Sequence, residues 1–222
     1  MKASSAISVE DVVDYLGRIG VLLETDRAFP SITGIMVREP IKGSWWSHPM
    51  ANEIYMLSQR LIHHPDTICL KLLSNKSTYV HRRLWPELIA IGTAQEPWQL
   101  GALPASAKSM LKKVEERGSL RMDELKGART EKEKGADARA LELRLLVFGD
   151  DVHTASGAHV KRIETWEHWA WRTGYHTHVL PTPERAKDEF SRIVEDLNEE
   201  FGAEATLPWQ HKKVSKRARV KA

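Results

Sequence analysis

The feature that most constrains the fold is a change of hydrophobic period within residues 104–166. Apolar residues recur at three- and four-residue steps after Pro104, which predicts an amphipathic helix that ends at Gly118. The short segment 119–125, with the sequence SLRMDEL, predicts a second, short helix, and residues 137–148 predict a third. The sequence therefore predicts three helices around one small core.

The pattern then changes to short extended segments. Residues 147–152 and 159–163 favour strands, and the small residues 155–158 favour a turn between them. Three helices and a two-stranded ribbon follow one another in this order in a winged helix-turn-helix, where the third helix enters a DNA major groove. The same shape also serves as a protein-interaction platform, so both functions stay open. The candidate phosphate contacts on the third helix and the ribbon are Arg139, Arg144, His159, Lys161 and Arg162.

The N-terminal part predicts a separate helix/β-hairpin unit. Ser8 and Asp11 form a capping-box pattern at the start of a helix that we expect to run to about Leu23. Residues 68–73 and 77–84 predict a β-hairpin. This hairpin holds a basic and aromatic patch that consists of Lys71, Lys76, Tyr79, His81, Arg82 and Arg83. Lys76, Arg82 and Arg83 are candidate phosphate contacts, and a merely solvated strand face is the alternative.

Two adjacent tryptophans, Trp45 and Trp46, lie in the segment GSWWSHP. They are either core residues of a small domain or a surface on which a nucleobase stacks. One can be buried and the other exposed, because adjacent side chains rarely face the same way. The nearby acid/base candidates His48, Glu53 and His81 are single residues, and their spacing does not require them to meet.

A linker-like break near 97–103 and a clear amphipathic helix before Gly202 complete the organisation. We expect an α+β fold with a winged helix-turn-helix core, an additional N-terminal helix/β-hairpin unit and a C-terminal amphipathic helix that docks on the body or on a second subunit. The predicted units are 1–100 (helix/β-hairpin), 103–180 (winged helix), 182–202 (C-terminal helix) and 203–222 (a basic, disordered tail).

Charge and cysteine content restrict the class of protein. Residues 211–222 contain six cations and no acid, so the rest of the chain sums to −3 although the whole carries +3. The single Cys69 excludes a disulfide framework and fits a reducing cytoplasm. No apolar run is long enough for a membrane span, and we expect no membrane partner.

Four histidines could converge on a metal ion: His153, His159, His176 and His178. No established metal-binding motif supports such a site. We therefore expect no metal and no cofactor.

The segments 43–49, 64–92 and 97–99, together with the predicted winged-helix block, resemble bacterial proteins described as AlkZ-related. The similarity covers about residues 30–180. The AlkZ family proper consists of winged-helix DNA glycosylases that remove alkylated purines and unhook interstrand crosslinks. The resemblance therefore implies a protein that binds DNA and has a connection to DNA repair.

The resemblance does not extend to the catalytic pair of that family, which is Gln-x-Gln or Gln-x-Asp. Gln95 and Gln99 are four positions apart, and Gln59 and Gln210 are isolated. Three hypotheses follow. The first is a DNA-binding protein. The second is a glycosylase-like N-glycosidic hydrolase with a non-standard pair. The third is an interaction module in which the ribbon and residues 190–201 form a homodimer or bind another partner.

Overall fold

The computed structural model of the protein describes residues 7–39, 41, 43–126, 130–153, 157–176 and 179–210. The fold is α+β, as the sequence predicts. The described residues include two three-stranded antiparallel sheets, with strand orders β1-β3-β2 and β4-β6-β5. Within these residues, no helix is both long enough and apolar enough to cross a membrane.

The first helix, α1 (Val9–Ile19), begins with the predicted capping box, in which Asp11 N donates to Ser8 Oγ and Ser8 N to the Asp11 carboxylate. Its predicted end at Leu23 is wrong, because Gly20 has a φ of 87° and ends the helix. A side chain at Gly20 would also collide with Arg83. The next residues form strand β1 (Val21–Leu23) instead.

The predicted hairpin is confirmed as β2 (Thr67–Lys71) and β3 (Ser77–His81), and β1 pairs with the free edge of β3. One face of this sheet packs against α1, α2 (Ile32–Val37) and α3 (Ala51–Ile62). Tyr79 lies on this face and is fully buried. It therefore does not belong to an exposed basic and aromatic patch, contrary to the prediction.

The opposite face of the sheet packs against α4 (Trp85–Thr93), which is followed by the short α5 (Pro97–Leu100). The C-terminal helix α9 (Pro183–Phe201) packs on α4 through Phe190, Ile193, Val194 and Leu197. The sequence predicted that this helix docks on the body of the protein or on a second subunit, and the structure shows it packed on the body of the same chain. A homodimer remains a prediction.

Part of the predicted tail is packed on the body. Thr206 N donates to Ser74 Oγ at 3.1 Å, and Leu207 is buried in the same apolar cluster as Phe190. Asn198 makes two hydrogen bonds of 2.8 Å with the backbone of Ala205. Residues 211–222, which contain the predicted run of cations, lie outside the described residues.

The second half of the chain begins with α6 (Ala105–Arg117), β4 (Ser119–Arg121) and a 3₁₀ turn (Met122–Glu124). It continues with α7 (Glu131–Glu142), β5 (Phe148–His153), β6 (His159–Glu164) and α8 (Trp166–Thr173). The two predicted ribbon strands are confirmed as β5 and β6. Phe148 and Trp166 also join the cluster around α4 and α9, so the predicted units share part of their core.

Two predicted elements of this half differ. Segment 119–125 is not a second helix, because Leu120 pairs with Ile163 and adds β4 to the ribbon. The third helix spans 131–142 and not 137–148: Thr130 and Glu133 form a capping box at its start. Leu145, with a φ of 56°, follows its end. The winged-helix assignment therefore remains an interpretation, with a strand and a 3₁₀ turn in place of its second helix.

Candidate nucleic-acid interface

A cleft of about 400 Å³ lies between the end of β2 and the face formed by α7 and β6. It brings together three of the predicted contact residues, Arg139, His159 and Lys161, with Lys71 of the predicted hairpin patch. The remaining lining residues are Met122, Asp123, Glu131, Gly135, Glu142 and Val160. Basic side chains from the two halves of the chain thus face one cavity.

The three acids that line the cleft are each paired with a basic side chain. The ion pairs are Asp123 with Arg121 (2.6 Å), Glu131 with Lys134 (2.7 Å) and Glu142 with Lys161 (2.9 Å). Among the described residues, Arg139 and Lys71 have no acid within ion-pairing distance. The charged residues that line the cleft sum to zero, because Lys71, Arg139 and Lys161 balance the three acids. Lys71 and Arg139 nevertheless stand outside the ion pairs, so both can contact an anionic group.

Arg139 is exposed because of its position on α7. Ala138 and Leu141 face the core of the second half, so the helical period turns Arg139 towards solvent. The capping box places the start of the helix at residue 131, which puts Arg139 in its last turn. The guanidinium is thus presented to the cleft from a well-defined helix rather than from a loop.

Lys71 lies in a cross-strand row with Ser77 and Glu24. Its Nζ donates to Ser77 Oγ at 2.7 Å, and Glu24 N donates to Ser77 O at 3.0 Å. Burial raises the pKa of the Glu24 carboxyl, and the charge of Lys71 offsets part of that effect. The sequence analysis placed Lys71 in the hairpin patch but not among the candidate contacts, and it did not select Glu24. Strand alternation was the signal that could have placed the two residues on one face.

The other predicted ribbon cation, Arg162, is engaged within the fold. Its guanidinium binds Asp150 with two hydrogen bonds, of 3.0 Å from Nε and 2.6 Å from Nη2. Its side chain is only 19% exposed. A phosphate contact from Arg162 would require breaking this bidentate pair, which strongly favours the folded arrangement.

Arg144 does not lie on the third helix, contrary to the prediction, because α7 ends at Glu142. Its guanidinium donates to the carbonyl oxygens of Ala140 and Ala102, at 3.3 and 3.4 Å. These bonds connect the end of α7 to the segment before α6. The role that the structure supports for Arg144 is a structural one.

The three hairpin cations predicted as phosphate contacts lie outside the cleft lining and make local contacts. Lys76 pairs with Asp26 at 2.6 Å, and Arg82 lies over the rings of Trp85 and Tyr175 at 5.5 Å from each centroid. Arg83 Nε donates to the carbonyl oxygen of Gly17 at 2.9 Å, near the C-terminus of α1. The structure therefore does not gather these three residues into one surface with Arg139.

The two adjacent tryptophans have different environments. Trp45 is buried with 7% exposure, whereas Trp46 is 63% exposed. Their rings are stacked with centroids 4.1 Å apart and an angle of 22° between the planes. Tyr55 of α3 contacts the Trp46 ring at 5.7 Å. One indole thus belongs to the core and supports the other at the surface.

The profile of the AlkZ-related family matches residues 6–207. The chain belongs to this family. The match extends the similarity seen in the sequence to α1 and α9, and it includes every residue that lines the cleft. No curated protein and no solved structure matches the chain.

Gln95 and Gln99 come closest in sequence spacing to the catalytic glutamine pair of the AlkZ family. In this AlkZ-related chain both make structural contacts. Gln95 Nε2 donates to Glu115 at 2.6 Å. Gln99 is fully buried, and its Nε2 donates to the carbonyl oxygens of Ile91 and Arg144. Both side chains hold elements together.

The acid/base candidates of this AlkZ-related chain make separate local contacts. His48 Nδ1 accepts from Met50 N at 3.2 Å, and Glu53 is exposed on α3. His81 Nδ1 accepts from Arg83 N at 3.2 Å, and burial lowers the pKa of His81. No hydrogen bond or ion pair joins any two of the three candidates in the described part of the chain. The hydrolase hypothesis therefore remains a prediction from sequence.

The histidines proposed as metal ligands come together only in part. The rings of His153 and His159 face each other across the ribbon, with centroids 4.2 Å apart. His178 lies outside the described residues. Within the described ranges, no group of three or more histidine, cysteine, aspartate and glutamate side chains could hold a metal ion.

Proposed function

We propose that this AlkZ-related protein binds DNA through phosphate groups that enter the cleft between Lys71 and Arg139. One observation carries the proposal: two cations from separate halves of the chain line one cleft with no described acid within ion-pairing distance, while each of its three acids has a basic partner. Unpaired cations in a cavity attract phosphate, whose contacts supply most of the sequence-independent affinity for DNA. Family membership supports DNA as the polyanion.

The arrangement of α7 and the ribbon supports a winged-helix mode of binding. α7 lies between the 3₁₀ turn and β5 and presents Arg139 to solvent, as a recognition helix presents basic side chains. Its other exposed charges are Lys132, Glu131 and Glu133, so the exposed face of the helix is not strongly basic. Affinity that rests on a few phosphate contacts is modest and nearly independent of sequence.

The test is a binding titration with a fluorescein-labelled duplex, followed by fluorescence anisotropy at about 50 and about 200 mM salt. Lys71→Ala and Arg139→Ala each remove one cleft cation. Lys113→Ala is the matched control, because Lys113 is an exposed cation of α6 that does not line the cleft. The full chain is used throughout, so residues 211–222 contribute equally in every variant.

We expect each cleft variant to weaken binding and to flatten the slope of log affinity against log salt by about 0.9, the value for one lost phosphate contact. The control keeps the wild-type slope. Cleft variants that bind like the wild type, or a control that loses as much as they do, would contradict a specific role for the cleft.

A further inference from the structure

One face of the exposed indole of Trp46 is covered by another indole. Its ring stacks on that of Trp45, which packs in the apolar cluster beneath α1 and α3. Trp46 is nevertheless 63% exposed, so much of its ring outside this stacking contact is open to solvent. The protein thus presents a flat aromatic surface with a buried aromatic support.

Hydrogen bonds of the backbone and of two serine side chains fix the turn that carries this surface. The 3₁₀ turn Trp45–Ser47 is capped by Ser44, whose Oγ accepts from Trp46 N at 3.4 Å. Ser47 Oγ donates to Ser44 O at 2.8 Å, and His48 N to Trp45 O at 3.0 Å. Since the indole is already ordered, a ligand that stacks on it does not have to immobilise it, which favours binding.

The exposed residues around Trp46 are mixed in character. The turn and α3 expose the polar Ser44, Ser47, Asn52 and Glu53, and α3 also exposes Met56 and Ile62. Tyr55, at 40% exposure, is the ring that extends the aromatic surface. Protein interfaces bury large contiguous areas, whereas a supported planar ring with several polar neighbours fits a single planar group.

From these observations we infer that Trp46 stacks on an unpaired nucleobase of the bound DNA. In a paired duplex both faces of each base are covered by its neighbours, so only a base outside the regular stack can offer a face to the indole. This inference rests on the proposed DNA binding and adds to it a preference for DNA with an unpaired base. The cleft cations then contribute affinity, and Trp46 contributes discrimination.

The experiment compares a paired duplex with the same duplex that carries one bulged 2-aminopurine, by anisotropy and by 2-aminopurine fluorescence. The variants are Trp46→Ala and Trp46→Phe. Trp171→Ala is the control, because Trp171 is also exposed, at 73%, but its ring contacts only His168 among the described aromatic residues. Thermal unfolding checks that each variant is folded.

We expect the wild type to bind the bulged probe on the order of 5- to 100-fold more tightly and to quench its fluorescence, as stacking on an aromatic side chain does. Trp46→Ala loses the preference and the quenching but keeps the affinity for the paired duplex. Trp46→Phe retains part of the preference, and Trp171→Ala retains all of it.

Several outcomes would overturn the inference. One is an unchanged preference for the bulged probe in Trp46→Ala, and another is an equal loss of that preference in Trp171→Ala. A third is a larger molecular mass by light scattering together with no preference for the bulged probe, which would indicate that Trp46 lies in a contact between two copies of the chain.

Failure of the proposed phosphate cleft can be distinguished from failure of this inference. If the cleft binds phosphate, Lys71→Ala and Arg139→Ala weaken the binding of both probes equally. Only Trp46 variants change the ratio of the two affinities.

Discussion

The indole of Trp166 lies directly against the Cα of Gly92, and its Nε1 donates to the carbonyl oxygen of Leu145 at 2.6 Å. Gly92 belongs to α4, whereas Trp166 begins α8 and Leu145 follows α7. A Cβ at position 92 would overlap the indole ring. This contact joins the two halves of the chain whose facing side chains form the cleft.

Gly92→Ala is therefore expected to destabilise the protein by about 1–3 kcal/mol through overpacking, although alanine favours a helix more than glycine does. Gly135→Ala is the matched control, because Gly135 lies in α7 with no atom near the position of a Cβ. We expect the control to gain up to about 1 kcal/mol. Urea unfolding measures both; a Gly92→Ala protein as stable as its control would show that the contact is not tight.

A second prediction concerns Glu164, whose side chain is completely buried. Arg172 Nη2 donates to it at 2.5 Å, and His168 Nδ1 lies 2.7 Å from its other oxygen. Arg172→Ala leaves a buried carboxylate with weaker partners, so we expect a loss of about 3 kcal/mol in the free energy of unfolding. Arg192→Ala removes an exposed pair on α9 and should cost less than about 1 kcal/mol. Equal losses would contradict the role of burial.

The same carboxyl makes the stability dependent on pH. Burial raises the pKa of Glu164, but the hydrogen bonds from Arg172 and His168 lower it by more, so it ends below its usual 4.5. A lowered pKa stabilises the fold above the unfolded-state value and loses that effect as the pH falls through the folded-state value. Urea unfolding between about pH 6 and pH 3 should show a shallower acid-side decline in Glu164→Gln than in the wild type. Parallel declines would contradict the prediction.

A fourth prediction uses the carboxyl of Glu24 beside Lys71. Since burial raises the pKa of Glu24, this group loses its charge at a higher pH than an exposed glutamate does. Its neutralisation near Lys71 should strengthen anion binding in the cleft as the pH falls from about 7 to about 5, and more so than for an exposed glutamate. We expect Glu24→Gln to bind DNA roughly twofold more tightly at pH 7 and to show a smaller pH effect. Anisotropy titrations at both values measure this, and an identical pH effect in the variant would refute it.

A fifth prediction concerns Cys69, which pairs with Tyr79 across the first sheet. Burial, and then the nearby charge of Glu24, raise the pKa of the Cys69 thiol to about 12. The thiolate is the reactive form, so alkylation by iodoacetamide at about pH 8 should be slow in the folded protein and fast after unfolding. Mass spectrometry follows the adduct. Rapid modification of the native protein would contradict this.

Sequence reasoning was most successful where the signal is local. The Ser8 capping box, the hairpin of β2 and β3, and the helix α9 with its stop at Gly202 are all confirmed. Each depends on residues a few positions apart, such as caps, turn residues and hydrophobic periods. The same signals were ambiguous at residues 119–125, because the few apolar residues of so short a segment are compatible with both the helical and the strand period.

The candidate site was predicted only in part. Arg139, His159 and Lys161 were selected from sequence and do line the cleft, but Lys71 was not selected as a contact. The ion pairs of Arg162 with Asp150 and of Lys161 with Glu142 connect residues 12 and 19 positions apart. Which cations are paired with acids depends on such contacts, and no periodicity reveals them.

The sequence by itself determined the α+β class, the helix caps, the ribbon and the family of this protein, because these depend on local patterns and on residue identity along the chain. Only the tertiary structure decided that strand β4 joins the ribbon, that Trp45 is buried beneath an exposed Trp46, and that Lys71 and Arg139 face one cleft. The physical reason is that exposure and charge balance arise when distant segments pack together, and packing brings acids to some cations while leaving others free.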